Sequence, residues 1–271
     1  MSNREQYPAG VPCFVDTLTP DVEAAKRFYG AVFGWEFAGP GAIPTEPSGQ
    51  YFVARLRGRD VAAIGTQPSA DGSAPAAWNT HVRVDSADET AAEAEAHGAT
   101  VLVEPFDAPP AGRMAVLADP SGATICVWEA GVREGAQLIN EPSAWAMSAL
   151  STADPELAQA FYGELFGWQA EAFDAGLGQE VWLWRLPGYV GGEPEQPVPR
   201  DVVAVMMRAD SRPASWGVDF WIADADAAAA AAAQLGGRVV AAPEEAGGFR
   251  RTVLADPSGA VFSASQIHVP A

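Results

Sequence analysis

Cysteine, lysine and long apolar runs are scarce in this chain of 271 residues. The two cysteines, Cys13 and Cys126, cannot build the disulfide framework of a small secreted domain, so we expect a reducing, cytoplasmic environment. No apolar run approaches the roughly 20 residues of a membrane-spanning helix. The amino terminus has no apolar segment after Arg4, which argues against a secretory signal.

Positive charge is scarce as well. Lys26 is the single lysine, and the formal net charge is −19. A negative field of this size repels nucleic acid and anionic lipid, so neither is expected as a partner. The hydrophobic content of 48% is ample for packed cores, and the length indicates two domains. We therefore expect a small-molecule ligand as the partner of either a monomer with internal pseudo-dimer symmetry or a homodimer.

An internal repeat is present. The segment Phe28–Trp35, which reads Phe-Tyr-Gly-Ala-Val-Phe-Gly-Trp, returns with its aromatic and glycine positions intact at Phe161–Trp168. The segment Val116–Ala123 returns unchanged at Val253–Ala260. Anchors that recur in one order indicate a tandem duplication. We place the first domain at residues 9–133 and the second at residues 140–268.

Each repeat is predicted to contain the order β-α-β-β-β twice, which is an α+β class. Thr19 and Pro20 are expected to start the first helix as N-cap and first residue, and Asp154 and Pro155 fill these positions in the second repeat. Gly34 or Gly30 is expected to end the first helix. The other predicted elements are strands around Cys13–Thr17, Tyr51–Leu56, Val61–Gly65, Thr80–Val84, Val181–Leu186, Val202–Met207 and Val218–Ile222, helices over Ala87–His97 and Ala225–Leu235, and hairpins turning at Asp119–Gly122 and Asp256–Gly259.

The repeated motifs themselves are interpreted as structural. The aromatic residues of Phe28–Trp35 lie at helical spacing before a glycine, which favours core packing and helix termination over a cofactor site. The two Asp-Pro-Ser-Gly segments are interpreted as turns rather than phosphate loops, because no strand–GxGxxG–helix unit accompanies them.

These motifs resemble the vicinal oxygen chelate superfamily, which comprises the glyoxalase, bleomycin-resistance and extradiol-dioxygenase proteins. The resemblance rests on the Phe-Tyr-x-x-x-Phe-Gly-Trp helix and the Val-Leu-Ala-Asp-Pro-x-Gly hairpin, and it covers nearly the whole chain twice. It is strongest to two-domain glyoxalase-like proteins of high-GC bacteria, often labelled hydroxylases. It implies two tandem glyoxalase-like domains, each of paired βαβββ modules forming a half-open barrel, with helices outside and a cavity on the concave face.

Metal-dependent members of the superfamily hold their ion with four ligands on the cavity strands. The resemblance places the first-, fifth- and last-strand positions of the two repeats on Phe14, Asn79 and Cys126 and on Met147, Gly217 and Ser263. The middle strands supply no glutamate for the fourth position. Hard divalent ions prefer carboxylate and imidazole donors, so we expect neither a metal nor another cofactor. The histidines His81, His97 and His268 are not expected to meet at one site.

Strand alternation identifies the side chains that share the concave face with Phe14. The candidates are Asp16, Asn79, His81, Arg83, Cys126 and Trp128 in the first repeat, and Trp145, Met147, Asp219, Trp221, Ser263 and Ser265 in the second. Asp16 and His81 could act as a catalytic acid–base pair, with Arg83 binding an anion or enolate. Alternatively, Asp16 and Arg83 form an ion pair beside a neutral His81. Cys126 is interpreted as a small buried residue, because the sequence shows no activating partner.

Tryptophan is abundant in the second repeat. Trp145, Trp221 and one or both of Trp182 and Trp184 could contact a planar ligand, because indoles offer a large flat apolar area. The alternative is that these rings fill the core or the interface between the domains.

Three functions follow from the sequence. The first is a binding protein for a largely apolar or aromatic metabolite, without the metal site of the superfamily. The second is a metal-independent tailoring enzyme of secondary metabolism, hydroxylase-like or a lyase or isomerase, that uses Asp16, His81 and Arg83. The missing ligands disfavour the third, which is metal-dependent glyoxalase or dioxygenase chemistry.

Overall fold

The computed structural model describes residues 6–43, 49–67, 76–174, 178, 180–191, 199–246 and 248–267, and His268 lies outside them. The first repeat contains β1 (Pro12–Thr19), α1 (Val22–Phe33), β2 (Glu36–Ile43), β3 (Gly49–Leu56), β4 (Arg59–Thr66), β5 (Ala77–Arg83), α2 (Ala87–Ala96), β6 (Thr100–Ala108), β7 (Gly112–Ala118) and β8 (Thr124–Ala130). The second contains β9 (Trp145–Thr152), α3 (Pro155–Phe166), β10 (Gln169–Phe173), β11 (Val181–Arg185), β12 (Val202–Arg208), β13 (Ser215–Trp221), α4 (Ala225–Gln234), β14 (Arg238–Ala246), β15 (Phe249–Ala255) and β16 (Val261–Ile267). None of the helices in these ranges is long and apolar enough to cross a membrane.

Each repeat forms one eight-stranded sheet, in the strand orders β2-β3-β4-β1-β5-β8-β7-β6 and β10-β11-β12-β9-β13-β16-β15-β14. Two βαβββ modules join in antiparallel fashion at the middle of each sheet, where β1 pairs with β5 and β9 with β13. The first strand of a module is parallel to its last, as in β1 with β4 and β5 with β8. The α+β class and the paired βαβββ modules expected from the sequence are confirmed.

The edges and one helix start differ from the prediction. The outer strand β2 is not predicted because it contains Gly39 and Pro40, which sheets tolerate mainly at an edge. Asp21, rather than Thr19, caps α1, and its carboxylate accepts a hydrogen bond from the Ala24 amide at 2.9 Å. The predicted cap of α3 at Asp154 is confirmed, and so is the left-handed end of α1 at Gly34.

The aromatic residues of α1 pack against the sheet of the other repeat. Phe28, Tyr29 and Phe33 are at most 2% exposed. Their ring centroids lie 6.3, 5.7 and 5.7 Å from that of Phe262 on β16. Phe33 also lies 5.0 Å from Phe220 on β13. The helix-covered faces of the two sheets therefore share one apolar core, and the interpretation of the aromatic motif as core is confirmed.

Two reciprocal hydrogen-bond chains cross this shared core. Tyr29 donates to Asp256 Oδ2 at 3.2 Å and accepts from Trp78 Nε1 at 3.0 Å. In the symmetric chain, Tyr162 donates to Asp119 Oδ2 at 2.9 Å. Both aspartates belong to the Asp-Pro-Ser-Gly turns, where their Oδ1 atoms accept backbone amides of the turn. The repeated motifs thus fasten each repeat to the other as well as shaping it.

Candidate ligand-binding site

Side chains from β1, β5 and β8 meet in rows across the face of the first sheet that is turned away from its helices. Phe14 lies opposite His81, and His81 lies opposite Cys126. In the adjacent row, Asp16 lies opposite Asn79. Phe14, Asp16, His81 and Cys126 are at most 6% exposed. The structure therefore brings together five of the residues that strand alternation selects.

A buried polar cluster surrounds the carboxylate of Asp16. Tyr51 donates to Oδ2 at 2.7 Å, and the amide of Asn79 donates to Oδ1 at 2.8 Å. His81 Nε2 lies 3.2 Å from Oδ2, in a direction that falls short of hydrogen-bond geometry. Tyr51 is missing from the sequence prediction. Strand alternation could have found it, because Val53 lies opposite Ala63 and Ala63 opposite Asp16, which puts Tyr51 on the same face.

The cluster sets the protonation of its members. Burial raises the pKa of Asp16, but the charge and close approach of His81 and the hydrogen bonds from Asn79 and Tyr51 outweigh it, so the pKa lies below its ordinary value of 3.8. Burial, followed by the charge of Asp16, holds the pKa values of Tyr51 and Cys126 well above their ordinary values. At neutral pH the cluster therefore contains a carboxylate, a phenol and a thiol, and Cys126 is poorly suited to be a nucleophile.

Two aromatic rings flank His81. The centroids of Phe14 and Trp128 lie 6.2 and 6.5 Å from that of the imidazole, and both rings stand edge-on to it. Trp128 is 8% exposed. An imidazole between two apolar rings and next to a carboxylate suits a flat ligand with at least one polar atom.

Arg133, at the end of the first repeat, bridges two strands of the first sheet. Trp128 Nε1 donates to the carbonyl oxygen of Arg133 at 2.9 Å, and the Arg133 guanidinium donates to the carboxylate of Asp60. Asp60 also accepts from Arg55 Nε at 2.8 Å. Trp128 lies on β8 and Asp60 on β4, so Arg133 spans the two central strands between them.

Arg83 does not join the cluster. Its Nη1 atom donates to the carbonyl oxygen of Val84 and, at 2.8 Å, to Asp85 Oδ1. The alternative of an ion pair between Asp16 and Arg83 is wrong, because Asp16 pairs with His81 instead. The physical reason is that a long flexible side chain at the end of β5 reaches a nearby carboxylate beyond the strand at lower cost than a buried one.

The second repeat carries a different polar group at its centre. Met147 lies opposite Asp219, and Asp219 lies opposite Ser263. Ser265 donates to Asp219 Oδ1 at 2.8 Å, while Arg251, which sequence reasoning missed, donates from Nη2 to Ser263 Oγ at 2.7 Å. Burial raises the pKa of Asp219 above its ordinary value, although the Arg251 charge and the Ser265 hydrogen bond lower it in part.

The predicted tryptophans of the second repeat separate into two groups. Trp221 shares its face with Asp219 and is 8% exposed. Trp145 is 4% exposed and lies opposite the core residue Phe220. A bulge in β9 between Trp145 and Met147 interrupts the alternation, so Trp145 does not share the ligand face with Met147. Trp184 lies in the core against Trp168 and Trp216, at centroid distances of 5.3 and 5.8 Å, which agrees with the alternative that these rings fill the core.

The donor set of the superfamily's metal centres does not fit either face. In the sheet register, His81 lies between Phe14 and Cys126, and Asp219 lies between Met147 and Ser263. His81 and Asp219 therefore occupy the fifth-strand positions that the sequence assigned to Asn79 and Gly217. The remaining members of those rows are a phenylalanine and a cysteine in one repeat and a methionine and a serine in the other. Within the described ranges, no group of three or more His, Cys, Asp or Glu side chains is arranged to hold a metal ion.

A surface cavity of about 400 Å³ lies elsewhere, at the outer edge of the second sheet. Gln169, Arg185, Tyr189 and Arg200 contribute to its wall, and none of the predicted site residues does. Its largest side chains are tied to neighbours, since Arg185 bonds Glu171 and Asp201. The predicted site residues lie on the central strands of the two sheets instead.

Comparison with known proteins gives the two repeats a common origin. The model of the glyoxalase-like domain matches residues 13–128 and again residues 133–265. CFP32 of Mycobacterium tuberculosis, provisionally named a glyoxylase, is 37% identical over 266 residues, which is 97% of each chain. DnrV of Streptomyces peucetius, named an anthracycline biosynthesis protein, is 31% identical over 272 residues, covering 97% of this chain and 95% of the relative.

Solved structures share the fold at low sequence identity. The Mn(II)-bound glyoxalase from Novosphingobium aromaticivorans superposes with a TM-score of 0.61 at 16% identity, covering 98% of this chain and 83% of that one. The 2,2',3-trihydroxybiphenyl 1,2-dioxygenase from Sphingomonas wittichii superposes with a TM-score of 0.59 at 13% identity, covering 96% and 91%. These likenesses concern the fold alone, because the sequence identities are low.

Proposed function

The chain belongs to the glyoxalase-like family of the vicinal oxygen chelate superfamily, and on that premise we propose that it binds a flat, largely apolar metabolite without a metal ion. The observation that carries the proposal is the row Phe14–His81–Cys126, in which a ligand-binding position of the fold is filled by two poor metal ligands and one imidazole. The carboxylate of Asp16 lies 3.2 Å from that imidazole in the adjacent row. The site keeps the family's location and offers apolar contact and hydrogen bonds in place of coordination.

The relatives suggest the chemical class of the ligand. One of them is named for anthracycline biosynthesis, and anthracyclines are flat polycyclic aromatics with phenol and quinone oxygens. Phe14 and Trp128 supply apolar rings beside His81 for such a surface, while Asn79 and His81 supply polar atoms for its oxygens. We infer an aromatic polyphenol or quinone as the class of ligand.

Apolar burial alone does not explain useful affinity. Burying about 200 Å² of apolar ligand surface at ~25 cal/mol per Å² contributes about 5 kcal/mol, and association itself consumes several kcal/mol of that gain. Polar contacts at the Asp16 cluster must therefore supply both orientation and the remaining free energy. This assigns His81 and Tyr51 to recognition, with Asp16 as the residue that positions both.

Fluorescence titration with the dihydroxyanthraquinone quinizarin tests this function. Wild-type protein should bind quinizarin with unchanged affinity before and after dialysis against EDTA. His81→Ala should weaken binding about tenfold, the loss of one charged or well-placed hydrogen bond. His97→Ala is the matched control, because His97 lies exposed at the end of α2. Affinity that disappears with EDTA and returns with a transition metal would overturn the proposal.

A second function is favoured by one feature, the buried ionised Asp16 at 3.2 Å from His81. A carboxylate next to an imidazole can serve in general acid–base catalysis, so metal-independent acid–base tailoring of the bound ligand is the alternative. Arg83 has no part in it, because its guanidinium faces Asp85. Incubation of the protein with a hydroxyanthraquinone, followed by mass spectrometry, separates the functions: an altered product at catalytic turnover indicates the enzyme, and unchanged ligand indicates the binding protein.

A further inference from the structure

The concave face of the second repeat contains an arginine that has no counterpart in the first. Arg251 on β15 lies opposite Ser265 on β16, and the equivalent pair in the first repeat is Met114 opposite Trp128. The duplication therefore gave one repeat an apolar thioether where the other has a guanidinium. The side chain of Arg251 is 33% exposed, so it can be reached from solvent.

One buried polar atom at this point is left without a partner. Arg251 Nε is buried and has no hydrogen-bond acceptor in the described part of the chain. It lies 3.8 Å from Asp219 Oδ1, too far for a hydrogen bond. Ser265 occupies Oδ1 of Asp219, and none of the described residues donates to Oδ2. A buried donor that remains unpaired costs free energy, which a ligand atom that accepts from it would recover.

An indole and a thioether lie beside the pair. Trp221 follows Asp219 on the same face of β13, and Met147 lies opposite Asp219 on β9. The indole of Trp221 is 8% exposed. A ligand that reaches the Arg251–Asp219 gap thus lies against an indole and a thioether, both of which favour an aromatic ring.

We propose that the second repeat is a separate recognition site for the edge of a flat ligand that carries a carbonyl next to a hydroxyl. The carbonyl accepts from Arg251, the hydroxyl donates to Asp219 and the ring packs on Trp221. The inference rests on the proposed function for the ligand class, but it assigns the recognition of the hydroxyl–carbonyl edge to the second repeat. The first repeat, which has Met114 and His81 at the equivalent positions, does not offer this pair of contacts.

The test compares quinizarin with its dimethyl ether, which keeps the carbonyls and removes the hydroxyl donors. Affinities are measured by calorimetry for wild type, Asp219→Ala and Arg251→Met, the last of which installs the residue that the first repeat carries. Arg250→Met is the matched control, because this neighbouring guanidinium pairs with Asp226 and Glu245 on the other face of β15. Tyr51→Phe reports on the first repeat. Circular dichroism and urea unfolding establish that each variant is folded.

Wild type should prefer quinizarin over its ether about tenfold, since a hydrogen bond to a charged group is worth that factor. Asp219→Ala should abolish the preference, Arg251→Met should weaken both ligands, and Arg250→Met should leave the preference unchanged. Tyr51→Phe, which alters the first repeat, should weaken binding there without abolishing the preference. If the preference survives in Asp219→Ala and is lost in Tyr51→Phe, recognition lies in the first repeat; the inference is then wrong while the proposed function stands. If neither ligand binds wild type, both are wrong.

Discussion

His81 and Asp219 occupy equivalent positions in the two repeats, each between a first-strand and a last-strand residue of its sheet. His81 contacts the carboxylate of Asp16, whereas Asp219 has Ala149 and Gly217 in the adjacent row and bonds Ser265 instead. Duplication therefore preserved the frame and changed the chemistry at its centre. An imidazole beside a carboxylate in one repeat and a carboxylate beside a guanidinium in the other imply two unlike sites.

Asp16→Asn should destabilise the protein by about 1–3 kcal/mol at neutral pH, because a buried carboxylate with two donors and an imidazole is replaced. The pKa of Asp16 in the folded protein lies below 3.8, so its ionisation adds stability that is fully present above that value. The contribution is lost as the pH falls through the lower, folded pKa. Urea unfolding at a series of pH values should show the difference between wild type and variant shrinking below about pH 4. A difference that is constant with pH contradicts this assignment.

Asp219→Asn should behave in the opposite way. Burial raises the pKa of Asp219 above 3.8, so ionisation of Asp219 at higher pH costs the folded state free energy. The contribution of Asp219 to stability is fully present below pH 3.8 and is lost as the pH rises through the folded pKa. Relative to wild type, the variant should therefore gain stability between about pH 4 and pH 7. The measurement is the same pair of urea curves, and a variant that loses stability on this rise would show that Arg251 dominates over burial.

Tyr29→Phe and Tyr162→Phe should each destabilise the protein by about 1–2 kcal/mol, because each removes a hydroxyl that links a buried indole to an aspartate of the other repeat. The isosteric ring keeps the aromatic packing, so the loss measures the hydrogen bonds. Urea midpoints with unchanged m-values are the readout. Midpoints equal to wild type in both variants would mean that the reciprocal chains do not hold the repeats together.

Arg133→Ala should open the first site. The change leaves the buried Asp60 carboxylate with Arg55 as its remaining guanidinium partner. It also removes the side chain that spans β1 and β5. We expect a loss of about 1 kcal/mol in stability and a faster release of quinizarin in stopped-flow measurements. Arg113→Ala is the control, since Arg113 pairs with Asp88 and Asp107 on the outside. Equal release rates in the two variants would rule out closure by Arg133.

Cys13 and Cys126 should resist alkylation in the native protein. Both are at most 2% exposed, and burial raises the pKa of each thiol, so little thiolate forms at pH 8. Iodoacetamide should label neither cysteine until urea unfolds the chain. Rapid labelling of Cys126 with iodoacetamide in the native protein would show an accessible and activated thiol, and would make Cys126 a candidate nucleophile.

The amino-acid sequence was sufficient for the duplication, the class of fold and most of the helices and strands. These depend on local features: apolar periodicity, caps such as Asp154, the left-handed Gly34 and turns at Asp119 and Asp256. Strand alternation also found Asp16 and His81, because a period of two carries along an uninterrupted strand. Such features are written in a few neighbouring residues and need no knowledge of distant contacts.

The pairing of distant strands decided the rest. Alternation failed at Trp145 because a bulge, which depends on the partner strand β13, shifted its register. Strand alternation also could not predict that Asp16 contacts His81 and Tyr51 rather than Arg83. The carboxylate that a flexible guanidinium pairs with depends on the local geometry, and Arg83 pairs with Asp85. Arg251 lies near Asp219 and Ser263 only because β13 and β16 are placed beside β15 in the sheet. The frame follows from short-range preferences, whereas the site follows from register and burial, which exist once the two sheets have formed.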